Sequence, residues 1–448
     1  MIPHASLLKI NRLYRQHGPD IGGILQQQYG DFFYVQSILP QIPRLHFILD
    51  PADTYRLLVQ QKRRLEKPGP IRRMTKSSFG EGLFTSQGDL WRRQRKLIQP
   101  AFHHAHLNQY ATRIVKHTET MLAQWQDGDI ITIGKTMRTL TLTVVLDALF
   151  STDATETNAP VQQAMQDLAE GFAAQSTSTL LFLLPEWFPA PVLNKKRRAA
   201  QAIDQIVQQI INDRQQLSDA DRPHDLLSTL LFTQDADTGE TMTHQQLRDE
   251  LVTLYFAGHE TTALLLSWAW VLLSQHPNIV ADLQAELTTV LNGRCPTFQD
   301  LPQLALTKAI IQETLRLYPP SWFIVREVAE RLEIRDYSIP TGSVLFFVPY
   351  TVQRDSRWFD NPQTFQPTRW LTGLEQSLPK GAYFPFGLGP RICIGNGFAL
   401  MEAQLILATV AQRFHLQQMN EAKTKPAILL EFANPVQMQL SQISKRAS

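Results

Sequence analysis

The sequence predicts a mainly α-helical protein with small β-sheets. Helical periodicity dominates residues 90 to 276, and short segments of alternating apolar and polar residues lie on either side of that region. The predicted strands are 32–37, 45–49, 332–336, 344–348, 428–432 and 436–440. No internal repeat or low-complexity linker interrupts the 448-residue sequence, so we expect a single large domain over residues 1–448.

Local patterns place the elements along the chain. Residues 32–37 and 45–49 are predicted to pair as a short hairpin, and residues 428–432 and 436–440 as a second hairpin that closes the chain. Residues 66–88 are rich in Gly, Pro, Ser and basic residues, which predicts an irregular loop. The N-terminus has no signal-like apolar core and no membrane-spanning segment, so we expect a soluble protein without a transmembrane anchor.

Charge and cysteine content narrow the class of protein. The sequence has 43 Lys and Arg against 41 Asp and Glu, so nothing indicates nucleic-acid binding. Its two cysteines, Cys295 and Cys393, provide no disulfide framework, which is typical of a reducing compartment. His103, His104 and His106 are close in sequence, but no acid stands at ligand spacing, so we favour a polar cluster over a metal site.

A long helix is predicted to begin at a capping box formed by Thr243 and Gln246 and to end before Pro277. Its uninterrupted apolar run, residues 263–273, is shorter than the roughly 20 residues that a membrane span requires. The middle of the helix carries the sequence Ala-Gly-His-Glu-Thr-Thr at residues 257–262. This sequence is either a solvated polar turn or a functional break in an apolar helix.

The residue types in this break favour a function. Ala257 and Gly258 are small and let a bulky partner approach the helix axis. Thr261 can donate to the carbonyl four residues earlier, which loosens the helix and leaves room for water. Glu260 adds an acid beside that hydroxyl.

Cys393 lies in the glycine-rich stretch 386–395, with Arg391 two residues before it and a helical pattern after it. Free backbone N–H groups, a nearby cation and the start of a helix all stabilise a thiolate. One thiolate cannot hold a structural zinc ion, but it can be the single protein ligand of a haem iron.

The spacing Phe386-x-x-Gly389-x-Arg391-x-Cys393-x-Gly395 resembles the haem-thiolate loop of the cytochrome P450 family. The resemblance covers nearly the whole chain and rests on four motifs in the right order. It implies the cytochrome P450 fold, haem b as cofactor and Cys393 as the axial ligand of the iron. Residues 257–262 resemble the oxygen-activation motif of the family, in which Thr261 and Glu260 help to deliver protons.

The resemblance also assigns the residues that surround the haem. Phe386, Ala257 and Gly258 would lie against it. Trp91 and Arg95 are one helical turn apart and would contact a haem propionate, as would Arg326 and Arg391, since the planar guanidinium pairs with carboxylates.

A buried ionic cluster is expected behind the cysteine loop. Glu313 and Arg316 share one helix face at i and i+3, among apolar neighbours. The resemblance implies that Arg369 completes this cluster and that its role is structural. Many members have an acid before that arginine, whereas Thr368 stands here.

The implied activity is that of a bacterial, cytoplasmic, monomeric monooxygenase. It inserts one oxygen atom from O2 into a lipophilic substrate, with electrons from a separate ferredoxin or flavodoxin and its reductase. Arg92, Arg93 and Lys96 form a basic face where such an acidic partner would dock. Two alternatives stay open: a P450-fold peroxygenase or hydroperoxide isomerase, and a haem-binding sensor or carrier without turnover.

The sequence indicates only the class of substrate. The apolar segment 180–192 and residues 322–325 favour a lipophilic molecule, and the former would at most touch a membrane surface. Arg72 and Arg73 are available to anchor a carboxylate, although solvent exposure is the stronger expectation for both. A fatty acid or a terpenoid is therefore favoured.

Overall fold

A computed structural model describes residues 3–36, 43–151, 154–178, 181, 184, 187–223, 225–233, 239 and 241–443. Its residues form two compact units. The first comprises Met1–Ile71, Lys308–Cys393 and Ala422–Asn434, and the second comprises Arg72–Thr307, Ile394–Glu421 and Pro435–Ser448. Helices predominate over short strands, which confirms the predicted fold class. The expectation of one integrated domain stays a prediction.

The described strands, in chain order, are β1 (His4–Ser6), β2 (Phe32–Gln36), β3 (Leu45–Ile48), β4 (Leu65–Glu66), β5 (Ile130–Thr132), β6 (Ile324–Val328), β7 (Leu332–Ile334), β8 (Tyr337–Ile339), β9 (Val344–Phe347), β10 (Phe414–Gln418), β11 (Thr424–Pro426), β12 (Leu430–Phe432) and β13 (Gln437–Gln442).

The described α-helices are α1 (Leu7–His17), α2 (Ile21–Tyr29), α3 (Pro51–Tyr55), α4 (Gly69–Phe79), α5 (Gly88–Ile98), α6 (His104–Leu122), α7 (Ile133–Phe150), α8 (Ala154–Thr177), α9 (Pro191–Gln215), α10 (Leu226–Phe232), α11 (His244–Ser274), α12 (Pro277–Leu291), α13 (Ala305–Leu317), α14 (Pro349–Val352), α15 (Thr368–Leu371), α16 (Leu374–Ser377) and α17 (Asn396–Ala411). A π-helix occupies Arg56–Gln60.

The first unit is built on a sheet with the strand order β1-β2-β3-β9-β6-β4. β1 and β2 are parallel, as are β3 and β9, and the remaining neighbours are antiparallel. Phe33, Ile48, Leu345 and Phe347 are fully buried in its core. The antiparallel pairing of β2 with β3 confirms the predicted N-terminal hairpin.

The second unit is largely helical. The predicted capping box is present, since Thr243 Oγ1 accepts from the Gln246 amide and the Gln246 side chain accepts from the Thr243 amide. The helix that it starts, α11, runs unbroken for 31 residues, and most of its side chains are buried. This burial requires neighbours on several sides, and α7, α9, α12 and α17 all contact α11.

The expectation of an irregular loop over residues 66–88 is wrong in its middle, where α4 lies. Gly69 and Pro70 occupy the first turn of α4, where a missing or unpaired N–H is tolerated. Met74, Ser78 and Phe79 then face the interior. The glycines and the proline therefore mark the ends of a helix and not its absence.

The predicted closing hairpin is also wrong in its pairing. Both strands exist near the expected positions, but β12 pairs with β11, whereas β13 pairs with β10 and β5. Alternation of side chains predicts a strand, but it does not select the partner.

Within the described ranges, no helix combines the length and the hydropathy needed to cross a lipid bilayer.

A buried acid between α17 and α11 makes the stability pH-dependent. Glu402 is fully buried, and burial raises its pKa to about 8, an effect that the neighbouring Thr262 hydroxyl partly counteracts. The folded protein therefore keeps Glu402 protonated at neutral pH. Its contribution to stability is fully present below the ordinary pKa of 4.5 and is lost as the pH rises towards about 8.

We expect Glu402→Gln to remove this dependence, since the amide cannot ionise. The free energy of unfolding of the unsubstituted protein should fall by a few kcal/mol more than that of the variant between about pH 5 and pH 8.5, at about 1.4 kcal/mol per pKa unit. Urea unfolding at both pH values measures the difference. Glu421→Gln, at an exposed position, is the control. Parallel curves for all three proteins would contradict the expectation.

Candidate active site

Cys393 lies in a loop between a 3₁₀ turn at Gly389–Arg391 and the start of α17. The Cys393 amide donates to the Phe386 carbonyl oxygen at 2.9 Å, and the Ile392 amide donates to that of Gly389 at 3.1 Å. The Cys393 side chain is exposed. The loop is therefore closed by its own backbone, and its cysteine side chain is accessible.

The position of this loop requires a glycine at residue 389. Its φ is +71°, and a Cβ atom there would lie 2.1 Å from the Leu58 carbonyl oxygen of the π-helix. Such a distance is far inside van der Waals contact, and a positive φ disfavours other residues. The loop thus rests directly on the backbone of the first unit.

The structure brings the expected scaffold residues together. Glu313 and Arg316 are fully buried, and Arg316 Nε and Nη2 each donate to the Glu313 carboxylate at 2.8 Å. Arg369 Nε donates to Glu313 Oε1 at 3.1 Å, and Trp370 Nε1 donates to Oε2 at 2.8 Å. The Gln366 amide adds a further donor at 3.0 Å. This network holds one carboxylate in a single position.

Gln353 connects this network to the segment that leads into the cysteine loop. It is fully buried, and its Nε2 atom donates to the carbonyl oxygens of Leu315 and Arg316 at 3.0 and 3.1 Å. Its Oε1 atom accepts from the Phe384 amide at 3.0 Å, and its carbonyl oxygen accepts from Arg316 Nη1 at 2.9 Å. No sequence motif marked Gln353, because its function depends on contacts between distant segments.

A cluster of cations lies in the first unit. Arg326 Nη1 donates to the Val325 carbonyl oxygen at 2.8 Å, and burial lowers the pKa of the Arg326 guanidinium to about 10. Burial, together with the charges of Arg326 and Arg391, lowers the pKa of Lys67 well below its ordinary value. Because desolvated like charges repel one another, an anion would stabilise this cluster. Lys67 was not among the predicted site residues.

In the second unit, Trp91 and Arg95 share one face of α5, as their spacing predicts. The Arg95 guanidinium carbon lies 5.9 Å from the centre of the Trp91 ring, and both side chains are half-buried. Their pairing with a haem propionate stays a prediction.

The residues of the polar break in α11 lie on different faces of the helix. Ala257 is exposed and Thr261 half-buried, one turn apart, and Thr261 Oγ1 donates to the Ala257 carbonyl oxygen at 2.8 Å. This is the predicted backward hydrogen bond, and it places the threonine hydroxyl beside Ala257. The helix nevertheless remains regular here, so the expected loosening is not observed.

Two residues of the same motif face α7 instead. A Cβ atom on Gly258 would lie 3.1 Å from Val145 Cγ2, so the glycine accommodates the neighbouring helix. Glu260 accepts from Arg138 Nε at 2.7 and 2.9 Å. The expected approach of a haem at Gly258 and the catalytic role of Glu260 stay predictions, and the bulky partner that the structure shows at Gly258 is Val145.

The remaining candidate residues from the sequence have the following positions in the structure. Arg72 and Arg73 lie on α4 and not in a loop, with Arg72 half-buried and Arg73 exposed. His103 is exposed, and the described residues contain no metal-binding group of histidine, cysteine and acidic side chains. Most of residues 180–186 lies outside the described residues. Of the segment 180–192, Trp187 is exposed.

Comparisons with known proteins give the class to which this fold and site belong. The sequence model described as cytochrome P450 matches residues 11–439. The chain belongs to the cytochrome P450 family, and it is an oxidoreductase of that family.

Named relatives and a solved structure agree with this assignment. The chain is 37% identical to cyclooctatin synthase of Streptomyces melanosporofaciens, over 83% of this chain and 80% of that one. It is 33% identical to pentalenene oxygenase of Streptomyces avermitilis, over 94% and 95%. The structure titled retinoic acid bound cyanobacterial CYP120A1 has a TM-score of 0.82 and 25% identity, and the match covers 95% of each chain.

The side chains of the first unit fit the haem that this family implies. A porphyrin with two propionates requires cations, and Arg326, Arg391 and Lys67 form a cluster that favours an anion. An exposed cysteine in a loop that tolerates only glycine at residue 389 can ligate iron through its thiolate. In this arrangement Cys393 would hold the metal, and the three cations would hold carboxylates.

Glu313→Ala should lower the free energy of unfolding by about 3–5 kcal/mol, because Arg316 would remain buried without its partner. Urea unfolding measures this loss, and Glu313→Gln provides a milder variant if the alanine protein does not fold. Asp89→Ala is the matched control, since Asp89 pairs with Arg92 at an exposed site and should cost less than about 1 kcal/mol. Equal losses for the buried and exposed acids would contradict a scaffold role.

Lys67→Met should accelerate the loss of haem from the holoprotein by about tenfold, the value of one charge-assisted hydrogen bond. Transfer of haem to apomyoglobin, followed by absorbance, measures the rate. Lys62→Met removes the same charge at an exposed position and is the control. If both variants release haem at the unsubstituted rate, Lys67 does not bind a propionate.

Proposed function

We propose that the protein is a haem b monooxygenase that oxidises a neutral terpenoid. The reaction would consume the substrate, O2, two electrons and two protons, and it would yield an oxygenated product and water. The relatives named cyclooctatin synthase and pentalenene oxygenase support this class of substrate. The observation that carries the proposal is an aromatic cluster in the second unit.

This aromatic cluster consists of Phe79, Phe84, Phe172 and Phe256. The ring of Phe79 lies 5.4 Å from that of Phe172, 6.0 Å from that of Phe84 and 5.1 Å from that of Phe256, centre to centre. Phe79 and Phe172 are buried, whereas Phe84 is 46% exposed. Phe256 directly precedes Ala257, so the cluster reaches the helix that carries Thr261. An exposed aromatic ring backed by buried rings is a suitable surface for an apolar ligand.

The cation beside this cluster, Lys196, already has hydrogen-bond partners within the protein. This favours a neutral substrate over a fatty acid. Lys196 is fully buried, with its Nζ atom 4.3 Å from the centre of the Phe172 ring. The ammonium donates to the Met74 carbonyl oxygen at 2.7 Å and to Gln175 Oε1 at 2.9 Å. A carboxylate would have to displace these bonds. Arg73 is exposed, and neither it nor Arg72 belongs to the aromatic cluster.

Each of the proposed site residues would have a separate role in the reaction. Cys393 would bind the iron as a thiolate, and Arg326, Arg391, Lys67, Trp91 and Arg95 would orient the haem through its propionates. When bound, the haem supplies the activation of O2. Thr261, held by the Ala257 carbonyl, would present a hydroxyl for hydrogen bonding, and Glu260 would supply protons. The apolar cluster would exclude water around the substrate.

Electrons would come from a separate ferredoxin or flavodoxin. Arg92 and Lys96 are exposed on α5, and Arg92 pairs with Asp89 of the same helix. This surface would attract an acidic carrier, with a rate of association that falls as salt is added.

The first test concerns the iron ligand. The reduced holoprotein with carbon monoxide should show the red-shifted Soret band of a thiolate-ligated haem, and Cys393→Ser should lose it. A band of the histidine type in the unsubstituted protein would reject the assignment.

Product formation with a surrogate ferredoxin, and its absence with peroxide alone, would then separate a monooxygenase from a peroxygenase or a non-catalytic haem protein.

The second test concerns the substrate. Cyclic diterpene and sesquiterpene hydrocarbons should shift the Soret band of the ferric protein at lower concentration than fatty acids of similar size. Phe84→Ala should weaken terpene binding about tenfold, since burial of a phenyl ring contributes about 1.5–3 kcal/mol. Phe232→Ala is the control, because Phe232 is similarly exposed but contacts Arg222 and not the cluster. Preferential binding of fatty acids would overturn the proposed class of substrate.

A further inference from the structure

Two buried cations bind the backbone of α4, the helix that ends at Phe79. Lys196, on α9, donates to the Met74 carbonyl oxygen at 2.7 Å, and Arg248, on α11, donates from Nη2 to that of Ser78 at 3.0 Å. Ser78 lies in the last turn of α4, where carbonyl oxygens lack helical partners and a cation is favoured. The end of α4 is therefore held through its main-chain oxygen atoms.

Two consecutive acids on α11 bind the turn that follows α4, residues 80–85. Asp249 Oδ2 accepts from the Glu81 amide at 2.8 Å, and Glu250 Oε2 accepts from the Leu83 amide at 2.9 Å. Both acids are buried. A backbone amide that loses its acceptor in the interior is costly, so these two bonds fix the path of the turn.

The turn fits against α11 only with glycine at residues 80 and 82. Gly80 has a φ of +56°, and a Cβ atom there would lie 2.1 Å from the Asp249 carboxylate. A Cβ atom on Gly82 would lie 2.4 Å from the Asp249 carbonyl oxygen and 2.4 Å from Thr253 Oγ1. The backbone of the turn therefore rests directly on the helix that carries the two acids.

Phe84 occupies the position between the two best-held residues of this turn. Leu83 is bound through its amide, and the buried Thr85 donates from Oγ1 to the carbonyl oxygens of Gly80 and Gly82 at 2.8 and 3.1 Å. The Phe84 side chain is nevertheless 46% exposed. A rigid backbone on both sides thus presents one accessible aromatic ring to the aromatic cluster defined above.

An acid at residue 250 is explained by this bond and not by packing. Burial raises the pKa of Glu250 to about 8, the charge of Asp249 raises it further, and the Leu83 amide counteracts both. An apolar side chain of similar volume would avoid the cost of desolvation. Such a side chain could not accept from the Leu83 amide, whereas the carboxyl group can accept in either protonation state.

We propose that Asp249 and Glu250 are positioning residues for substrate binding, which fix the orientation of Phe84 by holding the backbone of residues 80–85. The ring of Phe84 contacts the substrate, and the acids determine where that ring lies. A ring held in place before binding loses less conformational entropy when the ligand arrives than a mobile one. This inference rests on the proposed function, since the ligand is the neutral terpenoid proposed above.

The first measurement needs no substrate and is hydrogen exchange of the holoprotein, resolved for residues 80–85. Glu250→Ala should accelerate exchange at the Leu83 amide by about tenfold, because that amide loses its hydrogen bond. Glu250→Gln should keep exchange slow, since its amide oxygen accepts the same bond. Asp300→Ala is the matched control, because Asp300 is also buried and accepts from a backbone amide, that of Thr297, at 2.8 Å.

The second measurement is the dissociation constant of a cyclic diterpene, from the Soret shift of the ferric holoprotein. Glu250→Ala should weaken binding about tenfold, as Phe84→Ala does. In the Phe84→Ala background, Glu250→Ala should cause no further loss, because the acid acts through the ring. Glu250→Gln should restore binding, and Asp300→Ala should leave it unchanged.

Gly82→Ala tests the same contact from the other side and serves if Glu250→Ala does not fold. The added Cβ atom would displace the turn from α11 and leave both acids in place. We expect faster exchange at the Leu83 amide and weaker terpene binding, again without further loss in the Phe84→Ala background.

The outcomes separate the possibilities. Faster exchange with unchanged terpene binding would assign the acids a purely structural role and overturn the proposal. A loss of binding that adds to that of Phe84→Ala would show that Glu250 does not act through the ring, which overturns it as well. If no terpenoid binds the unsubstituted holoprotein, the proposed substrate fails and the positioning role fails with it, whereas normal terpene binding with unchanged exchange in Glu250→Ala rejects the role of the acids alone.

Discussion

The buried carboxylate of Glu313 is the constraint on which the cysteine loop depends. Two guanidinium groups, an indole N–H and a backbone amide converge on it in the interior of the first unit. Taking these charges out of water is costly, so the arrangement is stable only with all donors in place. Through Gln353 the same network reaches the backbone at Phe384, ahead of the loop that carries Cys393. We therefore propose that the ionic cluster helps to position Cys393, which it does not touch.

The cation cluster of the first unit illustrates a second consequence of burial. Arg326 and Lys67 occupy positions where desolvation disfavours their charged forms, and Arg391 adds to the repulsion. A protein that folds around an anionic cofactor can keep such groups together, because the cofactor carboxylates offset the repulsion on binding. If these cations bind the haem carboxylates as we propose, the stability of the first unit and the retention of haem would be coupled.

The long helix α11 has a different function on each of its faces. Gly258 and the His259 carbonyl pack against α7, Glu260 forms an ion pair with it, and Ala257 with Thr261 remains accessible on another side. One six-residue motif thus combines helix packing, an ion pair with α7 and the hydroxyl that we propose for the active site. The aromatic cluster includes Phe256, the residue before the motif, so the proposed apolar surface reaches the same helix.

The sequence by itself determined the class of fold and the family, and it predicted Cys393 as the iron ligand, because these inferences depend on periodicity and on local spacing. The capping box of α11, the first hairpin and the backward bond of Thr261 were predictable for the same reason, since each involves residues close along the chain. Only the tertiary structure decided what depends on distant partners: the pairing of β12 and β13, the bridge through Gln353, the cation Lys67 and the hold of Arg138 on Glu260. Local patterns predict which chemical groups a segment carries, whereas packing between segments determines which of those groups come into contact.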